Sequence, residues 1–168
     1  MELPDLKGRE QILKVHCEGK PMASDVDLAA LASLTSGFTG ADLANLLNES
    51  ALLAARRNKS LITNDEVTES MERVVAGPER KGRIMTDKEK ATIAYHESGH
   101  ALVGHLLNHT DPIHKISIIA RGQALGYTLS IPSEDRFLQS KSEMIDNLAM
   151  FLGGRVAEEI MNDGDVTT

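Results

Sequence analysis

The sequence predicts a mainly α-helical protein carrying one small antiparallel β-hairpin, and three observations lead there. Aromatic residues make up 3% of the 168 residues, with no Trp, two Tyr and three Phe. A core built from Leu, Ile, Val, Ala and Met suits packed helices better than a β-sandwich. A hydroxyl residue stands three positions before an acid at Thr39/Asp42, Thr63/Glu66, Thr86/Glu89 and Ser140/Glu143, each ahead of an apolar pattern of helical period. In such a box the hydroxyl oxygen accepts from a free amide of the first turn, and the acid bonds back to the cap. Finally, only one region is short, β-branched and bounded by turn residues.

Taken in order, the patterns predict helices over Gly8–His16, Asp25–Leu34, Ala41–Arg57, Asn64–Val75, Asp87–Leu107 and Lys141–Met161. Between the last two, Lys115–Ala120 and Gly126–Ile131 read as strands joined by a five-residue connection containing Gly122, with Pro132 closing the second. A two-stranded ribbon needs a helix to cover it. Around Gly77, Pro78, Glu79, Arg80, Lys81, Gly82 and Arg83 the periodicity breaks into a charged Pro/Gly stretch, which reads as a solvated linker. The chain therefore divides into a four-helix unit over 1–78, a linker over 79–85 and a second domain over 86–168.

Charge and composition remove several functions. A formal net charge of −7 is the wrong sign for neutralising phosphates, so nucleic acid is not an expected partner. A single cysteine, Cys17, excludes an internal disulfide framework and reads as a small buried thiol. No apolar run approaches the ~20 residues that cross a bilayer, and the N-terminus has no basic start or apolar core of a signal peptide. The segment is expected to be soluble, and to be a piece of something larger.

The chemistry sits in the predicted helix from Asp87. His96-Glu97-Ser98-Gly99-His100 fits H-E-x-x-H. Residues four apart lie one above the other on a helix, so both imidazoles reach one cation, and zinc accepts such nitrogens at about 2.0–2.1 Å. Glu97 lies about 100° around the helix, placed for a water on the metal rather than for the metal. Ile93, His96, His100, Val103 and Leu107 recur at 3-4-3-4 spacing, so both histidines belong to the core-facing stripe. Two imidazoles in an apolar stripe leave ring nitrogens unsatisfied unless something binds them. Gly99 in mid-helix costs roughly 1 kcal/mol relative to Ala, which points to a close approach of another backbone. His105 lies about 180° from His96 around the helix and cannot join the pair; His109 and His114 lie beyond the helix end. Catalytic zinc sites use three protein ligands. Downstream carboxylates are Glu158, Glu159, Asp163 and Asp165, among which spacing does not choose, while Gly153-Gly154 permits a close helix contact.

Longer stretches carry a resemblance. Gly8 to His16 (GREQILKVH) and Gly37 to Leu46 (GFTGADLANL) resemble the lid subdomain of AAA ATPases. Tyr95 to Ala101 (YHESGHA), Asp111 to Ile116 (DPIHKI) and Gly153 to Glu159 (GGRVAEE) resemble the FtsH family of membrane-anchored, ATP-dependent zinc proteases, and the match runs nearly end to end. The resemblance implies that Gly40 and Ala41 line the adenosine side of an ATP pocket, with His16 near the ribose or base. It implies that His96 and His100 ligate Zn2+, that Glu97 is the catalytic base, and that Glu158 fixes a ligand histidine through its far nitrogen. It places the third ligand, an aspartate, a short way beyond the stretch from Gly164 to Thr168. It further implies a hexamer, unfolded or membrane protein substrates, ATP/Mg2+ in the full-length protein, and a place on the cytoplasmic side of the bacterial inner membrane. G-x-x-x-x-G-K-[ST] occurs nowhere in the 168 residues, so this segment is expected to be inactive by itself. An extended substrate pairing with one of the two strands is a further expectation. The alternative is a non-catalytic module for assembly or for covering a nucleotide.

Overall fold

The computed structural model describes residues 3–80, 82, 84–132, 134–136 and 138–167. It divides into two compact units: residues up to Gly77 together with residues 133–135, and Pro78–Pro132 together with Arg136 onward.

The first unit holds α1 (Leu6–Cys17), α2 (Leu28–Leu34), α3 (Gly40–Arg56) and α4 (Asn64–Ala76). Its helix starts follow from local hydrogen bonding. Asp5 Oδ1 accepts the Gly8 amide at 2.8 Å, and Asp27 Oδ1 accepts those of Ala29 and Ala30 at 2.9 and 3.0 Å. Thr39/Asp42 and Thr63/Glu66 close the expected boxes. The helix expected from Asp25 begins instead at Leu28. Asp27 takes the cap, while Asp25 accepts the Asn64 amide at 3.2 Å. Packing of α1 on α2 and α3, and of α3 on α4, buries Leu13, Leu31, Leu43, Leu46, Leu47, Ile62, Val67 and Met71. Arg9 is buried with them and its Nε donates to Ala32 O at 2.9 Å, so the guanidinium enters the interior with a partner.

The second unit holds α5 (Asp87–Leu106), β1 (Ile113–Ser117), β2 (Tyr127–Ser130) and α6 (Lys141–Met161). Thr86/Glu89 and Ser140/Glu143 close their capping boxes. The strands pair antiparallel, with Lys115 opposite Leu129, Ile116 opposite Thr128 and Ser117 opposite Tyr127, and a bulge between Ile113 and Lys115. Both strands differ from expectation. The ladder starts two residues earlier, and Ile118–Ala120 leave it, because Arg80 N donates to Ala120 O at 2.9 Å and Gly122 N to Pro78 O at 3.2 Å. Ser117 and Tyr127 therefore end the ladder, leaving a connection longer than five residues. Within the stretch read as linker, Glu79 pairs with Arg121, whose Nη2 lies 2.8 Å from Glu79 Oε1 and whose guanidinium lies over the Tyr127 ring. Lys81 and Arg83 of that stretch lie outside the described residues.

Helix α5 is gripped from two sides, by α6 along its length and by both strands. The crossing with α6 is set by glycines. A Cβ on Gly99 would overlap the Gly153 carbonyl oxygen and lie 2.7 Å from Ala157 Cβ, and one on Gly153 would lie 2.7 Å from Gly99 O. Backbones this close exclude any side chain between them. That is the approach the mid-helix glycine pointed to.

Candidate active site

With α6 on one flank of α5 and the hairpin on the other, His96 and His100 face α6 while Glu97 passes under β2. The histidines are half-buried and Glu97 is 7% exposed, so the acid is the deeper residue. The inward face is broader than the stripe read from the sequence, because two neighbours cover it.

The two rings stand edge to face, with centroids 4.6 Å apart and planes at 84°, and their Nε2 atoms are 2.9 Å apart. Their far nitrogens are committed. His96 Nδ1 lies 2.6 Å from Glu158 Oε1, and His100 Nδ1 lies 2.8 Å from the Met150 carbonyl. His100 Nδ1 has two neighbours: the Met150 carbonyl, the shorter contact, which accepts from an Nδ1–H, and the Gly154 amide at 3.2 Å, which donates toward the same nitrogen. Glu158 is 1% exposed; burial alone would raise its pKa, but the Thr167 amide, the Thr167 hydroxyl and His96 together bring it below the ordinary glutamate value. An ionised Glu158 likewise requires Nδ1–H on His96. With Nδ1–H on both rings, the tautomer that the Glu158 and Met150 contacts favour, both Nε2 atoms present lone pairs to one point, where a cation or a proton relieves their repulsion.

This donor set fits zinc. It offers two imidazole nitrogens, each ring backed at Nδ1 by a carboxylate or a carbonyl. Two nitrogens on a tetrahedral zinc stand roughly 3.3 Å apart, so the rings need to open by only a few tenths of an ångström. Room in front of them depends on Gly154, where a Cβ would lie 2.6 Å from His100 Nε2 and 2.7 Å from His96 Nε2. Among the described residues no group of three or more His, Cys, Asp or Glu side chains converges on one point.

Glu97 closes the third side. Its Oε2 and its own main-chain carbonyl are each 2.9 Å from Thr128 Oγ1 on β2. His96, Glu97, Gly126, Leu125, Glu158 and Thr167 are among the residues lining one cleft of about 190 Å3. A buried carboxylate beside a cation-ready imidazole pair, at an open cleft, is equipped to exchange a proton with a bound water.

Of the four downstream carboxylates, Glu158 reaches the site; Glu159, Asp163 and Asp165 are exposed. His105, His109 and His114 are exposed too, and His109 Nδ1 pairs with Asp146 at 2.8 Å. In the first unit, Gly40 opens α3 with Ile12 Cδ1 3.8 Å from its Cβ position. Ala41 is exposed, and His16, one turn beyond Ile12, is half-buried with Lys20 Nζ donating to its carbonyl at 2.6 Å. Two residues escaped the sequence reading: Thr128, and Thr167, whose amide and hydroxyl both reach Glu158 Oε2 at 2.8 Å. Neither carries a local signal, since isolated threonines are common and their partners lie 31 and 9 residues away.

A helix bearing His-Glu-x-x-His, with both imidazoles turned to one point and the acid buried beside them, is the arrangement of the HExxH class of metallopeptidases. The model of peptidase family M41 matches residues 83–168, and that of the AAA+ lid domain matches residues 25–69. The chain belongs to peptidase family M41 and carries an AAA+ lid ahead of that segment. It is 66% identical over 165 residues to the ATP-dependent zinc metalloprotease FtsH of Slackia heliotrinireducens, covering 98% of this chain and 21% of that protein. It is 59% identical over 168 residues to FtsH 1 of Conexibacter woesei, covering 100% of this chain and 26% of the relative. To FtsH 3 of Symbiobacterium thermophilum it is 57% identical over 169 residues, covering 100% and 27%. The chain thus spans about a quarter of the length of the curated relatives it matches.

Proposed function

We propose that this segment is the lid and the leading part of the peptidase domain of an ATP-dependent zinc endopeptidase. The observation that carries the reading is the pair of Nε2 atoms 2.9 Å apart with both Nδ1 atoms held from behind. His96 and His100 hold the zinc ion. Glu158 and the Met150 carbonyl keep the two rings in the ligating tautomer, and a third ligand comes from chain beyond the described residues. Bound there, zinc supplies Lewis acidity, bringing a water's pKa to about 7 and polarising the scissile carbonyl. Glu97 takes the proton of the attacking water and returns it to the departing amine nitrogen. An extended substrate adds to the β1–β2 ribbon through main-chain hydrogen bonds, which suits sequence-tolerant cleavage.

Gly40 and Ala41, with His16, serve as the lid's contribution to an ATP site completed elsewhere in the full-length protein. The Gly40 and Ala41 amides in the first turn of α3, which the Thr39/Asp42 box does not use, support that placement. Substrates are unfolded or membrane proteins, the working assembly is a hexamer, and the parent protein acts on the cytoplasmic side of the bacterial inner membrane. Among the described residues no helix is long and apolar enough to cross a membrane. The exposed apolar side chains of α6, among them Leu148, Phe151, Leu152 and Ile160, support an assembled state. They equally favour the second reading, an assembly module without catalysis.

Metal analysis and casein cleavage separate the two, performed on these 168 residues and on a chain of the relatives' length. The longer chain is expected to hold one zinc and cleave; the 168 residues by themselves are expected neither to cleave nor to hydrolyse ATP. Glu97→Gln is expected to keep the metal and lose cleavage, and His96→Phe to lose the metal. A longer chain that assembles but binds no zinc leaves the module reading standing.

A further inference from the structure

Glu97 is held at its stem and at its tip by the same strand region. At the stem, a Cβ on Gly126 would lie 3.0 Å from Glu97 Cγ and 2.8 Å from Ser117 O, so the hairpin backbone presses on the methylenes. At the tip, Thr128 Oγ1 lies 2.9 Å from Glu97 Oε2 and, equally, 2.9 Å from the Glu97 main-chain carbonyl. Among the described residues Thr128 is the side chain that bonds this carboxylate. A hydroxyl carries one proton and both partners are acceptors, so the hydroxyl serves the carboxylate and the helix carbonyl in turn.

We propose that Thr128 is a positioning residue for Glu97, holding the buried carboxylate at the cleft wall beside His96 and tying that position to strand β2. The proposal rests on the reading of Glu97 as the proton acceptor. Its physical basis is that a carboxylate with 7% exposure has, among the described residues, this one side-chain partner to fix its rotation. Without the hydroxyl, the cheapest way to rehydrate the group is to swing it into the cleft, away from the reacting water. A displacement of about 1 Å at a catalytic group costs on the order of a hundredfold in rate. Because Thr128 lies opposite Ile116 in the ladder, any substrate strand that shifts the ribbon also shifts the residue that aims the base.

Two measurements test this. In the 168-residue chain, thermal unfolding is compared for Thr128→Val in the native background and in a Glu97→Met background, which needs no metal. If the hydroxyl grips the carboxylate, Thr128→Val lowers the Tm by about 4 °C or more beyond its effect in the Glu97→Met chain. Equal losses in both backgrounds mean that it serves only the helix carbonyl, and the proposal falls. In a chain of the relatives' length, Thr128→Val is expected to lower kcat about tenfold to a hundredfold with KM within about twofold and zinc content unchanged, and Thr128→Ser to restore most of kcat. Unchanged kcat in Thr128→Val, or no rescue by serine, overturns it. The separate case, in which Glu97→Gln still cleaves, removes the base reading itself and with it the catalytic meaning of Thr128, whatever the unfolding data show.

Discussion

Replacing Gly99 with alanine sets two known effects against each other, and the geometry says which wins. In an isolated helix alanine is favoured over glycine by about 0.8–1 kcal/mol. Here the added methyl would overlap the Gly153 carbonyl oxygen and come within 2.7 Å of Ala157 Cβ, where carbon contacts normally settle near 3.5–4.0 Å. The obstacle is main chain in the middle of α6, so no rotamer change relieves it and the two helices must separate by about 1 Å. Overpacking of this kind costs about 1–3 kcal/mol, and rigid backbone places it at the upper end, leaving a net loss of about 2 kcal/mol. Thermal unfolding followed by far-UV circular dichroism should show the transition of the α5–α6 unit falling by about 8–16 °C. Ser98→Ala is the control, since Ser98 is exposed on the same helix and alanine there gains a few tenths of a kcal/mol. A Gly99→Ala chain that melts at or above the native temperature would refute the close crossing.

The same helix pair governs metal binding. Gly154→Ala puts a methyl against both Nε2 atoms and is expected to abolish zinc retention in a longer chain, read by metal analysis after dialysis; full occupancy would contradict the ring placement. Glu158→Gln should weaken zinc about tenfold to a hundredfold in competition with a chromogenic chelator, because a neutral amide holds the His96 tautomer less firmly. In the first unit Glu66 is fully buried. Burial opposes its charge, but Lys59, Thr63 and Arg57 overcome that and lower its pKa from 4.5 to about 2. A depressed carboxylate stabilises the fold above its unfolded pKa and loses that contribution as pH falls through the folded one. Since Arg57 and Lys59 are over a third exposed, screening leaves about 1–2 kcal/mol, lost between pH 4.5 and about 2 and missing in Glu66→Gln. Urea titrations across that range that show no difference between Glu66→Gln and the native chain would remove the assignment.

What the sequence determined by itself is what hydrogen bonds of three-residue reach and the helical repeat can specify. The Thr39, Thr63, Thr86 and Ser140 caps each close on an acid three residues away, so those four helices begin where local chemistry says. The facing of His96 and His100 follows from the rise of one turn. Where two long-range partners competed, tertiary structure decided. Ile118 and Ile119 have strand-forming side chains, but Arg80 claims the Ala120 carbonyl and the ladder ends at Ser117. Glu158 and Glu159 are chemically identical neighbours about 100° apart on α6. Only the crossing fixed by Gly99 and Gly153 turns the first to His96 and leaves the second in water. Thr128 and Thr167 became partners of Glu97 and Glu158 in the same way, through chain folding that no local pattern encodes.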